Sequence, residues 1–137
     1  MNPVKHPGKT TPQLPKLVVL MEDDDDIARL ITHHLEASGF RIHRPDRAKS
    51  LISDAEREPP ALFILDLMLP EMDGFEICRR IRAHPSLQGV PVLILSARTG
   101  VEDRKQALES GAETYMTKPF TPSALIAAVR RLSNQNS

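Results

Sequence analysis

Five residues of this chain stand where short apolar runs end, and they carry the groups that phosphoryl transfer uses: Glu22, Asp23, Asp66, Ser96 and Lys118. The runs are LVVLM before Glu22, ALFIL before Asp66, VPVLIL before Ser96 and TYMT before Lys118. If these runs are neighbouring parallel strands, the side chains converge, because open α/β sheets bind ligands outside the carboxyl ends of their strands. The crevice then holds three carboxylates, a hydroxyl and an ammonium. Carboxylates that close raise one another's pKa unless a cation lies among them. A hard divalent ion fits, Mg²⁺ with Mn²⁺ as its substitute, because Mg²⁺ takes one or two carboxylates, keeps several waters and completes its shell with phosphate. Asp66 is then the nucleophile that forms an aspartyl phosphate. Lys118 meets a second phosphoryl oxygen as a point charge and the Ser96 hydroxyl meets a third.

The elements that must position these groups are legible from periodicity. Leu17 to Met21 is a continuous apolar strand, and Ile27, Leu30, Ile31 and Leu35 recur at helical spacing until Gly39 ends the helix. In the acidic run from Glu22 to Asp26, Asp25 and Asp26 lie nearest the helix start and supply its cap and favourable charge. Phe40 to His43 is a short strand, and Ala48, Leu51, Ile52 and Ala55 mark a helix stopped before Pro59 and Pro60. Ala61 to Leu65 is the most apolar strand. A Pro70 to Gly74 turn leads into a helix bearing Phe75, Ile77, Cys78 and Ile81, and Val90 to Leu95 is the fourth strand. A helix from about Glu102 to Ser110, stopped at Gly111, precedes a fifth strand, Thr114 to Thr117. Thr121 and Pro122 open the last helix, with Leu125, Ile126, Val129 and Leu132 on one face. Five strand-helix repeats with apolar strands imply an α/β fold, a doubly wound parallel sheet covered by helices on both sides.

Composition narrows the function classes. The chain has 137 residues, 40% of them hydrophobic, enough for one domain with its own core. Residues 1–15, with four prolines and no apolar period, read as a disordered lead, residues 16–133 as the domain and 134–137 as a polar tail. Eighteen basic residues balance eighteen acidic ones, so no net field draws the chain to nucleic acid or to an anionic membrane. Arg79, Arg80 and Arg82 read as a solvated helix face rather than a phosphate track, and His33 and His34 as surface residues. No apolar run has the length of a membrane span or a signal peptide core, which makes cytoplasm the expected compartment. Cys78, the only cysteine, reads as a packed thiol.

The segments VVLMEDD, LFILDLMLPEMDGFEICRRIR, VPVLILSAR and GAETYMTKPF, in this order and spacing, resemble the receiver domain of bacterial two-component response regulators. The resemblance covers residues 17 to about 132. It implies the flavodoxin-like strand order 2-1-3-4-5, the order of the chemotaxis receiver CheY. It implies that Asp66 accepts phosphate from a phosphohistidine of a sensor histidine kinase or a histidine phosphotransfer protein. Glu22 and Asp23 match the acidic pair, with Asp23 the direct metal ligand, and the backbone carbonyl of Met68 matches a third protein ligand. Ser96 matches the switch hydroxyl, Tyr115 the switch aromatic and Lys118 the motif lysine, followed by a cis bond to Pro119. The resemblance further implies that phosphate draws Ser96 inward, that Tyr115 turns into the vacated space, and that a downstream protein reads the altered surface of the fourth helix, fifth strand and fifth helix. Such a domain promotes its own phosphorylation and dephosphorylation without being a turnover enzyme. Met68 and Arg98, two residues beyond Asp66 and Ser96, match positions that orient or block the attacking water.

Some positions depart from the pattern. Thr114, Ala124 and Ala128 are neutral where a transcription-factor subfamily carries the ion pairs that join active dimers, while Glu102, Asp103, Arg104, Glu113 and Arg130 keep part of the set. A monomer or weak homodimer is therefore expected. The alternatives are a non-phosphorylated pseudo-receiver that acts as an interaction module, and a receiver fragment of a larger DNA-binding or effector regulator. A haloacid-dehalogenase-type phosphatase would need a second aspartate where Met68 stands, and the EDDDD run would repel the phosphate of a flavodoxin-like ligand. A stand-alone receiver is the expected form, because Met1 and both polar tails frame one domain.

Overall fold

The computed structural model describes residues 14–134. Ten elements alternate along the chain: β1 (Leu17–Met21), α1 (Asp25–Ala37), β2 (Arg41–His43), α2 (Ala48–Arg57), β3 (Leu62–Asp66), α3 (Gly74–Ala83), β4 (Val92–Ser96), α4 (Val101–Glu109), β5 (Thr114–Thr117) and α5 (Pro122–Asn134). All strand pairs are parallel, in the order β2-β1-β3-β4-β5. The expected lead lies outside the described residues up to position 13, and the expected tail lies outside them from position 135. Asn134 departs from that division, because it is the last residue of α5.

The sheet is covered on both faces because its central strands are buried at every position and apolar up to the closing Asp66 of β3 and Ser96 of β4, and side chains alternate between faces. Val18, Leu20, Leu62, Ile64, Leu93 and Leu95 face α1 and α5, packing on Ile31, Leu35, Leu125 and Val129. Val19, Met21, Phe63, Leu65, Val92 and Ile94 face α2, α3 and α4, packing on Leu51, Ile77, Ile81 and Ala107. Cys78 lies in this second cluster, and burial pushes its thiol pKa up, as expected of a packed thiol.

Four local expectations are corrected. Leu30 is 44% exposed, because Ala28, Ile31 and Leu35 form the buried stripe of α1. The cap of α1 is Asp24, whose carboxylate accepts from the Asp26 and Ile27 amides, so Asp25 and Asp26 occupy the first turn instead. β4 starts at Val92 rather than Val90, since the Val90 amide closes a turn onto Leu87 and Pro91 contributes only its carbonyl, to the Phe63 amide. Arg82 is no solvated arginine: its guanidinium donates to the carbonyls of Gln88, Val90 and Gly111 and pairs with Glu113 at 2.7 Å. It joins the end of α3 to the loops flanking β4 and β5. Arg79 and Arg80 do lie exposed, paired with Glu76.

Candidate functional site

The four strand ends converge because the register staggers them into one rim. Asp66, the last residue of β3, pairs with Leu95, and Ser96, the last of β4, pairs with Thr117 next to Lys118. The Lys118 amide donates to the Ser96 carbonyl at 2.8 Å, which ties the β5–α5 loop to the end of β4. The peptide bond from Lys118 to Pro119 is cis.

Glu22, Asp66 and Ser96 are buried polar groups at the carboxyl edge of the sheet. The Lys118 ammonium stands between two carboxylates, 2.6 Å from Glu22 Oε1 and 3.3 Å from Asp66 Oδ2. It supplies in this arrangement the positive charge that the clustered acids require. Asp66 Oδ1 accepts from the Met68 amide at 3.0 Å, so the carboxylate is held from two sides. Ser96 Oγ accepts from the Arg98 amide.

Burial is the main force raising the Glu22 pKa, and hydrogen bonding with Asp66 adds to it, against the opposing pull of Lys118 and the Asp24 amide. Burial also opposes the charge of Lys118, but its close contact with Glu22 and the Asp66 and Glu22 charges outweigh it, and the lysine pKa ends above its ordinary value. Glu22 is 1% exposed, and Oε1, though close to the ammonium, is not aligned for a hydrogen bond. Asp23 is exposed at the mouth and lines an open cleft of about 450 Å³ with Met68, Pro70, Asp73 and Arg98.

These residues fit a divalent cation of the Mg²⁺ kind. The structure leaves an unaligned oxygen on Glu22 and an unpartnered carboxylate on Asp23 at the edge of the sheet where β3 ends in Asp66. Among the described residues no three His, Cys, Asp or Glu side chains form a closed ligand cage.

Tyr115 is 8% exposed, and its hydroxyl donates to the Arg98 carbonyl at 2.9 Å. The ring is thus seated inward in this structure, whereas the sequence comparison linked the inward position to phosphorylation. The Arg104 guanidinium lies 5.2 Å from the ring centroid.

Three contributors escaped the sequence reading. Gly74 starts α3 against β3, and a Cβ there would fall 2.8 Å from the Asp66 carbonyl oxygen and 2.9 Å from Leu67 Cα. Glu71 accepts from the Ala48 amide at 2.7 Å, capping α2 from the β3–α3 loop. Arg44 donates to the Glu22 carbonyl. Only the LPEMDGFE run hinted at the first two; nothing local marks Arg44.

A strand-end aspartate flanked by a lysine and a buried glutamate on a doubly wound sheet is a receiver-like arrangement, and comparison with known proteins places the chain's fold and family in the same class. The family model for the response regulator receiver domain matches residues 18–130, so the chain belongs to that family. It is 37% identical over 115 residues to the transcriptional regulatory protein GltR of Pseudomonas aeruginosa, covering 84% of this chain and 48% of GltR. It is 40% identical to an uncharacterized 14.6 kDa protein of Leptolyngbya boryana, covering 83% of this chain and 87% of that protein. The crystal structure of a putative response regulator from Chloroflexus aurantiacus superposes with a TM-score of 0.83 at 28% identity, covering 88% and 98% of the two chains. The chain spans about half the length of GltR and of the transcriptional regulators PhoP and CreB, which it also matches. It is a signalling domain of the kind found in two-component response regulators. Receiver domains generally bind Mg²⁺ at their phosphorylation site and interact with histidine kinases and effector partners. No helix among the described residues is long and apolar enough to cross a membrane.

Proposed function

We propose that this chain is a phosphorylation-dependent switch in which Asp66 accepts a phosphoryl group from the phosphohistidine of a sensor kinase or phosphotransfer protein. The observation that carries the reading is the position of the Asp66 carboxylate, held at the end of β3 by the Met68 amide and the Lys118 ammonium. One carboxylate oxygen bonds to phosphorus as the phosphorus–nitrogen bond to the donor histidine breaks, and the electron pair leaves with the imidazole. Lys118 shifts from Asp66 to a phosphoryl oxygen, and the Ser96 hydroxyl donates to another. Asp23, Asp66 and the Met68 carbonyl would hold Mg²⁺ or Mn²⁺, with Glu22 behind them. The ion, when bound, offsets charge on the phosphoryl oxygens during in-line transfer.

Ser96 and Tyr115 connect this event to α4, β5 and α5. Tyr115 lies between the Arg98 carbonyl, two residues beyond Ser96, and Arg104 of α4, so a shift of the β4–α4 loop alters the seat of the ring. The face made by α4, β5 and α5 meets a downstream protein. The chain works in the cytoplasm, as a monomer or weak homodimer, without touching nucleic acid itself.

Incubation with a small acyl phosphate and Mg²⁺, followed by intact mass, tests the reading. A single phosphoryl adduct is expected, absent from Asp66→Asn and absent when the metal is chelated. No adduct, together with no spectral response to a beryllofluoride mimic, would leave the pseudo-receiver reading in its place.

A further inference from the structure

The turn from β1 into α1 carries five consecutive acids, Glu22 to Asp26, and four of them have partners. Glu22 meets Lys118 and the Asp24 amide, Asp24 caps α1, Asp25 pairs with Arg44 at 2.9 Å, and Asp26 pairs with Arg29 at 3.1 Å. Of these five, the Asp23 carboxylate alone has no such contact. What fixes Asp23 is its main chain. Arg44, just beyond β2, donates from Nε and Nη2 to the Glu22 carbonyl at 3.1 and 2.6 Å, and Nη2 also reaches the Asp23 carbonyl at 3.5 Å.

We propose that Arg44 is a positioning residue for cation binding: its guanidinium fixes the Glu22–Asp23 backbone and holds Asp25 aside, leaving the Asp23 carboxylate free for a divalent ion. The proposal rests on the receiver reading above. The planar fork suits the task, because it grips one carbonyl with two donors and still reaches the Asp25 carboxylate. An ammonium at the same place could supply the charge without the grip. A positive group beside a cation site also acts in the opposite sense, since its charge alone disfavours the ion. Arg44 remains one-third exposed at the side chain, lining a cleft of about 420 Å³ with Glu22, Asp23, Asp25 and Asp46, so water moderates that repulsion.

These opposite signs make the proposal decidable by titrating the whole chain with Mn²⁺ alone, free ion being read by electron paramagnetic resonance. Arg44→Gln and Arg44→Lys are both expected to weaken Mn²⁺ binding on the order of tenfold, as loss of the groups that orient ligands does elsewhere. Far-UV circular dichroism should stay unchanged, and saturating Mn²⁺ should restore the rate of adduct formation from acyl phosphate. Unchanged or tighter binding in Arg44→Gln overturns the proposal, because charge rather than position would then govern. Wild-type affinity in Arg44→Lys overturns it too, because the fork would not be needed. A wild-type chain that takes neither Mn²⁺ nor a phosphoryl group removes the receiver reading and this proposal together; an adduct in the wild type with unaltered affinity in the variants removes this proposal alone.

Discussion

At the crevice, charged side chains are held by partners from other elements: Lys118 reaches Glu22 and Asp66, and Arg44 reaches from the end of β2 to the β1–α1 turn. α4 is held far less. It lays one buried side chain, Ala107, on the sheet, where α3 lays four, Phe75, Ile77, Cys78 and Ile81. Its first turn has no side-chain cap, and Val101 and Leu108 stand exposed. Phosphoryl chemistry requires groups already in place, so that no reorganisation accompanies the reaction. A surface that reports the event needs the reverse, a small free-energy gap between two packings. The contrast between a braced crevice and a lightly seated helix is therefore what the proposed switch requires.

The largest expected effect tests the bracing. Lys118→Ala leaves buried Glu22 and Asp66 without their cation, and should cost about 3 kcal/mol near neutral pH in a chelating buffer. Glu22 has a pKa already raised by burial, and without Lys118 it rises further, so more protons bind to the folded chain than to the unfolded one. The loss should therefore shrink as pH falls, measured by urea unfolding across acid and neutral pH. A loss independent of pH would mean that packing, not charge, braces the crevice.

The wild-type chain offers the complementary arm at alkaline pH. The folded pKa of Lys118 lies above the ordinary 10.5, so its contribution is complete below that value and disappears as pH rises through the folded one. Lys118→Arg, which keeps its charge there, should flatten this alkaline limb.

Gly74→Ala comes next. The added methyl meets backbone atoms of Asp66 and Leu67, which cannot swing aside. Overpacking of this kind costs about 1–3 kcal/mol, and the better helix propensity of alanine returns at most about 1 kcal/mol. Melting should fall and the acyl-phosphate adduct should form more slowly. An unchanged adduct rate would show that the crevice tolerates displacement.

Tyr115→Phe probes the other region. Losing the bond to the Arg98 carbonyl should cost about 1 kcal/mol. Amide exchange across residues 101–109 should quicken while the adduct rate stays as it was. If the adduct rate fell as well, the two regions would not be separable.

The smallest effect concerns the lifetime of the mark rather than stability. Met68 is 56% exposed beside Asp66, and its thioether is a poor partner for an attacking water. Met68→Asn should shorten the phosphoryl lifetime, read as the decay of the mass adduct after donor removal. Unaltered decay would show that this side chain does not govern access.

The sequence was most readable where one physical signal acted alone. Continuous apolar runs such as LVVLM and LFIL could only be strands buried on both faces, and Gly39 and Gly111, both with positive φ, ended their helices as placed. It was least readable where a contact joins residues far apart. Leu30 fitted the helical period as well as Ala28, and packing against the sheet chose between them. Arg82 looked like its neighbours Arg79 and Arg80, and only the approach of the β4 and β5 loops distinguishes it.

By itself the sequence determined the alternation of elements, the fold class and the identity of the strand-end residues, since hydrophobic period and residue chemistry are local properties. The tertiary structure decided which charges meet. Lys118 stands 52 residues from Asp66 yet touches it, and Arg44 lies 22 residues from the carbonyl it grips. Such pairings depend on strand order and register, which arise from packing the two faces of the sheet and leave no mark on the residues concerned.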